Sequence, residues 1–209
     1  MGNHGNSKIT LDRMNDLFTI LSNKLIANNM TMELVLCGGA AMLIYGAREM
    51  TADIDTIRQL KAQHQRLIES IAIEIGVELD WLNDDSYDPA PNNLPYVQYR
   101  QYPNLSVHIL TEEAMLVTKI AAGRDKDYVD AEFWVDRLEI KTKRQLESLC
   151  HKYDVALSYD EIELEIQNQF NDINEDWGDD PKILIRNAHD KVNMRKKIID
   201  HLACDVMPC

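Results

Sequence analysis

Two aspartates, Asp53 and Asp55, stand one residue apart in the stretch TADIDTI. Around them, Thr51 to Arg58 alternates Ala52, Ile54 and Thr56 against Asp53, Asp55 and Ile57, a pattern that predicts a strand with both acids on one face. On a strand their Cα atoms lie about 6–7 Å apart. Carboxylates that close raise each other's pKa unless a cation stands between them. Mg²⁺ meets that need, because it takes oxygen ligands and is held by one or two carboxylates together with substrate phosphates. Mn²⁺ accepts the same oxygen donors.

A second feature precedes the acids. Gly38-Gly39 ends an apolar run from Glu33 to Cys37 and opens a short segment, Ala40 to Tyr45, that favours helix. Glycine lets a backbone approach a ligand closely, and a helix start presents unpaired N–H groups to an anion. Thirteen residues separate Gly39 from Asp53. A D-x-D alone is a common strand-end pair and a G-G alone is weaker. Their order and spacing are what join a phosphate cradle to a metal clamp, the two needs of phosphoryl or nucleotidyl transfer.

These features need elements to hold them. Apolar residues at Leu11, Met14, Leu17, Phe18, Leu21, Leu25 and Ile26 have helical spacing. Glu33 to Cys37 reads as a buried strand, and Gly46 as the stop of the short helix. Gln59 to Ile75 is helical, with Gly76 as its stop, and Val77 to Trp81 reads as a third strand. NDDSYDPAPNNLP is a loop. Tyr96 to Tyr102 and Leu105 to Leu110 form a hairpin around Pro103-Asn104. Thr111 suits a helix N-cap with Glu112 and Glu113 in the first turn, and helices broken near Gly123 and at DWGDDP follow. The fold class is therefore α+β: a small mixed sheet with flanking helices over residues 1–110, then a helical region over 111–209.

The span GGAAMLIYGAREMTADID resembles the signature of the polymerase-β-like nucleotidyltransferase superfamily: strand, Gly-Gly, short helix, then D-x-D on the next strand. More narrowly, it resembles the minimal nucleotidyltransferases of toxin–antitoxin and abortive-infection systems, the AbiEii-like group. In that group an Arg and a Thr precede the acids, and Arg48 and Thr51 fit. Trp81 to Asp84, WLND, also recurs there. LVTKIAAGRDKDYVD places Lys119, Arg124, Lys126, Asp127 and Asp130 where the group carries a Lys, an Arg, a Lys-Asp and a second Asp. The resemblance runs from about residue 9 to 140. It implies that Asp53 and Asp55 bind the metal, that Gly38 and Gly39 face a triphosphate, and that Lys119 touches phosphate. Arg124 and Asp127, three apart on a helix, pair. Asp127 and Asp130 read as braces rather than metal ligands.

One departure stands out. The superfamily usually carries a third carboxylate on a later strand, and LSVHIL has His108 there instead. Histidine accepts protons near neutrality, so His108 is the candidate base; Asp80 is another candidate. The expected activity is Mg²⁺-dependent transfer of a nucleoside monophosphate from an NTP to a hydroxyl on a tRNA 3′ end, a protein or a small molecule. The setting implied by the resemblance is a toxin with an antitoxin partner. The alternative is a nucleotide- or partner-binding module that has lost catalysis. A Rossmann binder is disfavoured because no G-x-G-x-x-G is present and a hairpin replaces further βα units.

Composition narrows the partners. A net charge of -13 disfavours bulk nucleic-acid binding. The charge is uneven, with ten acids and no Lys or Arg from Tyr153 to Pro181, flanked by basic stretches at 137–152 and 182–197. Those stretches read as solvated helix faces pairing with their neighbours, or as a local platform for a polyanion. The four cysteines show no CxxC spacing, so neither a disulfide framework nor a zinc site is expected. MGNHGNS fits a myristoylation pattern weakly, and the longest apolar run is too short to span a bilayer. A cytoplasmic protein without a membrane segment is the expectation.

Overall fold

Leu34, Val35 and Leu36 are all fully buried, which marks their strand as the centre of a sheet rather than an edge. The computed structural model describes residues 8–86, 93–155, 180–182 and 185. The amino-terminal heptapeptide, the middle of the proline-rich loop, nearly all of the acidic run and the first four residues of DWGDDP lie outside the described residues, as do most of the second basic stretch, Cys204 and Cys209. The order is α1 (Leu11–Ala27), β1 (Met32–Leu36), α2 (Gly38–Ile44), β2 (Ile54–Asp55), α3 (Ala62–Ile75), β3 (Leu82–Asn83), β4 (Tyr96–Tyr102), β5 (Leu105–Leu110), α4 (Glu112–Ala122), α5 (Asp125–Arg137) and α6 (Lys143–Lys152). The architecture is α+β, with a small mixed sheet followed by helices.

The chain divides into two units, Met1–Ala90 with Leu94–Thr111, and Pro91–Asn93 with Glu112–Cys209. In the first, β1 pairs in parallel with β5, and β5 pairs antiparallel with β4. β2 and β3 form a parallel pair. A single antiparallel bridge between Leu36 and Thr56 joins β2 to β1. Thr56 reinforces it, since its Oγ1 accepts from the Val35 N–H and donates to the Val35 carbonyl, each at 3.1 Å. One face of these strands packs against α1 and α3 in a core that includes Phe18, Leu34, Leu36, Ile54, Ile71, Trp81 and Val107. In α1, Met14, Leu17, Phe18, Leu21 and Leu25 are buried as their spacing requires, and the terminal Leu11 and Ile26 are exposed. Thr10 caps that helix by accepting from the Arg13 N–H.

Four elements differ in their bounds from the sequence reading. The strand expected over Thr51 to Arg58 is regular only at Ile54–Asp55, because Thr51 pairs instead with Ile9, which lies ahead of α1. The third strand is Leu82–Asn83 rather than Val77 to Trp81. Gly76 takes the left-handed conformation at the end of α3, the Val77 N–H bonds back to Ala72, and the Trp81 N–H turns back to Glu78, so those groups are not available to a ladder. α2 begins at Gly38, two residues early, and α3 begins at Ala62, three residues late.

In the second unit α4 packs on α5 and α6. Its interior holds a charged cluster: Lys119, Asp127 and Asp130 are 6%, 0% and 5% exposed. The Lys119 Nζ lies 2.7 Å from both Asp127 Oδ1 and Asp130 Oδ2. Arg124, largely exposed, reaches Asp127 Oδ2 at 2.5 Å. Three further ion pairs, Arg137–Glu112, Lys152–Glu113 and Lys182–Asp136, engage basic residues of the flanking stretches with acids of α4 and α5. No helix among the described residues is long and apolar enough to cross a membrane.

Burial alone would raise the Asp127 pKa, but hydrogen bonds from Arg124 and Lys119 outweigh it and hold the carboxyl below its usual range. A lowered folded value means stability that is present above the unfolded pKa of about 4 and lost as pH falls through the folded value. Lys119→Ala should cost about 3–5 kcal/mol in urea unfolding at pH 7, since it removes the cation between two buried carboxylates, and Asp127→Asn should cost less, because Asp130 still pairs with Lys119. Below about pH 4 the wild-type stability should fall more steeply than that of Asp127→Asn.

Candidate functional site

β1 ends at Leu36, and Cys37 turns the chain into α2, whose first two residues are Gly38 and Gly39. Gly38 has φ +55°, in the left-handed region that L side chains rarely adopt. A Cβ placed there would collide with Oδ2 of Asp55. A Cβ on Gly39 would collide with Oγ1 of Thr51, with Nη1 of Arg48 next at 4.0 Å. The two glycines thus bring the α2 backbone against the side chains that follow it by nine to seventeen residues.

Backbone bonds fix this approach. The Cys37 N–H donates to the Asp55 carbonyl at 3.1 Å, and Cys37 Sγ lies 3.7 Å from the same oxygen. Thr51 exchanges two backbone hydrogen bonds with Ile9, at 2.7 and 2.9 Å, and is buried. Asp53 stands just before β2 and is half-buried, as is Asp55. The structure therefore gathers Gly38, Gly39, Arg48, Thr51 and Asp55 in one place, with Asp53 two residues from Asp55.

Strand register locates the others. Asp55 lies opposite Asn83 on β3 and opposite Cys37 on its other side. His108 pairs with Val35, which accepts the Ile57 N–H at 3.0 Å. His108 is therefore two rows along from Asp55 and two strands across, about 12 Å away backbone to backbone. Its ring meets Tyr96 edge-on, with centroids 5.1 Å apart. Asp80 lies in the turn before β3 and is exposed, its carbonyl accepting from Asn83 Nδ2. Lys119 belongs to the second unit, where Asp127 and Asp130 engage its ammonium. Arg124 and Asp127 pair as expected.

Sequence reasoning missed a cluster on the same sheet face. Arg58 Nη2 donates to the Tyr96 hydroxyl at 3.0 Å and pairs with Glu33 at 3.2 Å. Glu33 and Tyr96 lie on β1 and β4 and Arg58 in the segment after β2, and only the strand register brings them together.

Among the described residues no group of three or more His, Cys, Asp or Glu is arranged to hold a metal. The donor set is a pair of carboxylates beside a glycine backbone whose side-chain space the Asp55 carboxylate takes up. This fits a hard cation whose remaining ligands are water and substrate phosphate. Gly38→Ala tests the contact. It should cost about 1–2 kcal/mol of stability for the left-handed backbone and, by displacing the Asp55 carboxylate, weaken any divalent-cation uptake at the acid pair. Calorimetric titration of a folded sample checks both.

Over residues 12–179, most of its length, the chain matches a family model described as a nucleotidyltransferase of unknown function (DUF6036). No curated protein and no solved structure matches it. A glycine pair set against a D-x-D carboxylate is what such an activity needs, and the chain belongs to this family of nucleotidyltransferases.

Proposed function

We propose that the protein transfers a nucleoside monophosphate from an NTP to a hydroxyl acceptor, with Mg²⁺ or Mn²⁺ held by Asp53 and Asp55. The observation that carries this reading is the close approach of the Gly38 backbone to the Asp55 carboxylate. Gly38 and Gly39 present backbone to the triphosphate, and Arg48 and Thr51 line the same place. Bound there, the cation would neutralise phosphate charge and favour ionisation of the attacking hydroxyl.

The acceptor oxygen bonds to the α-phosphorus, the bridging P–O bond to the β-phosphate breaks, and pyrophosphate leaves with the electron pair. The hydroxyl proton needs an acceptor; His108 shares this sheet face but stands about 12 Å from Asp55, so it could take the proton only by way of water. Positioning and charge stabilisation supply most of the catalysis in such transfers. Lys119, already held by two buried carboxylates, fits a bracing role better than a phosphate contact. The acceptor class spans a tRNA 3′ end, a protein side chain or a small molecule. The toxin role in the cytoplasm beside an antitoxin, as in the AbiEii-like group, belongs to the same proposal.

One observation favours a second reading. Among the described residues no third acid joins Asp53 and Asp55, and β5 carries His108 instead. A nucleotide- or partner-binding module on the same fold would have this composition.

Label transfer separates the two. The protein is incubated with each α-labelled NTP and Mg²⁺, with tRNA, lysate protein or no acceptor. Label should reach a macromolecule or small product, stop with a chelator, and fall on the order of 10²–10³-fold in Asp53→Ala and Asp55→Ala. Nucleotide binding with no transfer to any acceptor would favour the module.

A further inference from the structure

Arg58 follows Asp55 by three residues and leaves the sheet on the face that carries the acids. Its guanidinium carbon sits 5.3 Å from the centroid of the Tyr96 ring, and Nη2 donates to the Tyr96 hydroxyl. Tyr96 in turn meets His108 edge-on. Tyr96, on the edge strand β4, is 40% exposed, and the Arg58 side chain is about half exposed. A planar cation, a phenol and an imidazole are thus assembled at a solvent-facing rim.

The row geometry sets its distance from the acids. Ile57, Val35 and His108 form one row, Thr56, Leu36 and Ile109 the next, and Asp55 and Cys37 the one after that. Tyr96 pairs with Leu110 and Gln98 with His108, so Tyr96 and His108 lie on the same face. Measured backbone to backbone along the sheet, His108 therefore stands about 12 Å and Tyr96 about 14 Å from Asp55, within the span of one nucleoside triphosphate whose phosphates lie at Gly38. Bases stack on aromatic rings and on guanidinium planes, and this is the usual way proteins hold an unpaired base. An aliphatic core, or ion pairs alone, would not need an exposed tyrosine here.

We infer that Arg58, Tyr96 and His108 form a nucleobase-binding subsite beside the carboxylates. The inference rests on the proposed nucleotide chemistry at Asp53 and Asp55. The base belongs either to the donor NTP or to the end of an acceptor strand.

Three probes distinguish these sources: a non-hydrolysable NTP with Mg²⁺, inorganic tripolyphosphate with Mg²⁺, and a short single-stranded oligoribonucleotide without metal. Each is titrated into wild type, Tyr96→Ala, Tyr96→Phe and Arg58→Ala, with thermal unfolding as the folding control. For a donor base, wild type should prefer the NTP over tripolyphosphate, and Tyr96→Ala should weaken the NTP about tenfold without moving tripolyphosphate. For an acceptor base, the same loss should appear with the oligonucleotide alone. Tyr96→Phe should retain most binding in either case, because it keeps the ring. Failure of wild type to bind tripolyphosphate, with oligonucleotide binding still sensitive to Tyr96, would sink the transferase reading and leave the subsite standing. Folded Tyr96→Ala and Arg58→Ala proteins that bind all three probes like wild type would overturn the subsite.

Discussion

The close approach of a bare backbone to a carboxylate organises the first unit of this protein. Gly38 lies where any side chain would displace Oδ2 of Asp55, and its left-handed φ sends the chain from the central strand straight into α2. The contact demands that β2 run beside β1 at one height. The Cys37 to Asp55 backbone bond and the Thr56 hydroxyl on Val35 supply that height. β2 needs only two residues of regular ladder, because side-chain and bridge bonds at Thr51 and Thr56 hold its ends.

Placing acids on so short a strand has a physical logic. Asp53 and Asp55 repel each other, and nothing in their own alternation relieves this. A longer strand would carry them into the flat of the sheet, where Val35 and Leu36 are fully buried. Ending the ladder at Asp55 leaves the pair at the rim, half-exposed, with the glycine backbone on one side. The second unit handles charge in the opposite way. It buries Lys119 between two aspartates and engages Arg137, Lys152 and Lys182 with nearby acids, so these charges are neutralised locally.

Much of this is legible in the chain. The periodicity of α1, the apolar run of β1, the hairpin around Pro103-Asn104 and the stops at Gly46 and Gly76 all depend on local chemistry, and local pattern reveals them. Gly38, Gly39, Arg48, Thr51 and Asp55 were readable as one unit because they fall within eighteen consecutive residues. What local pattern cannot show is register. The third strand lies at Leu82–Asn83 because the Val77 N–H is committed to a helix end and the Trp81 N–H to a turn. The meeting of Arg58, Tyr96 and His108 depends on two strand pairings and a β-bulge near Tyr99, none of which leaves a motif. The buried partners of Lys119 were half visible: the spacing of Arg124 and Asp127 suggested a pair, but burial of the lysine came only with packing.

The central claim is that a divalent cation sits between Asp53, Asp55 and the glycine turn when nucleotide is bound. Paramagnetic broadening by Mn²⁺ tests it directly, in an amide NMR spectrum recorded with a non-hydrolysable NTP. Signals from Gly38, Gly39 and Asp53 to Asp55 should vanish first as the metal is added, and should persist in Asp55→Asn. Retention of those signals in the wild type, while others disappear at the same metal concentration, would contradict the account.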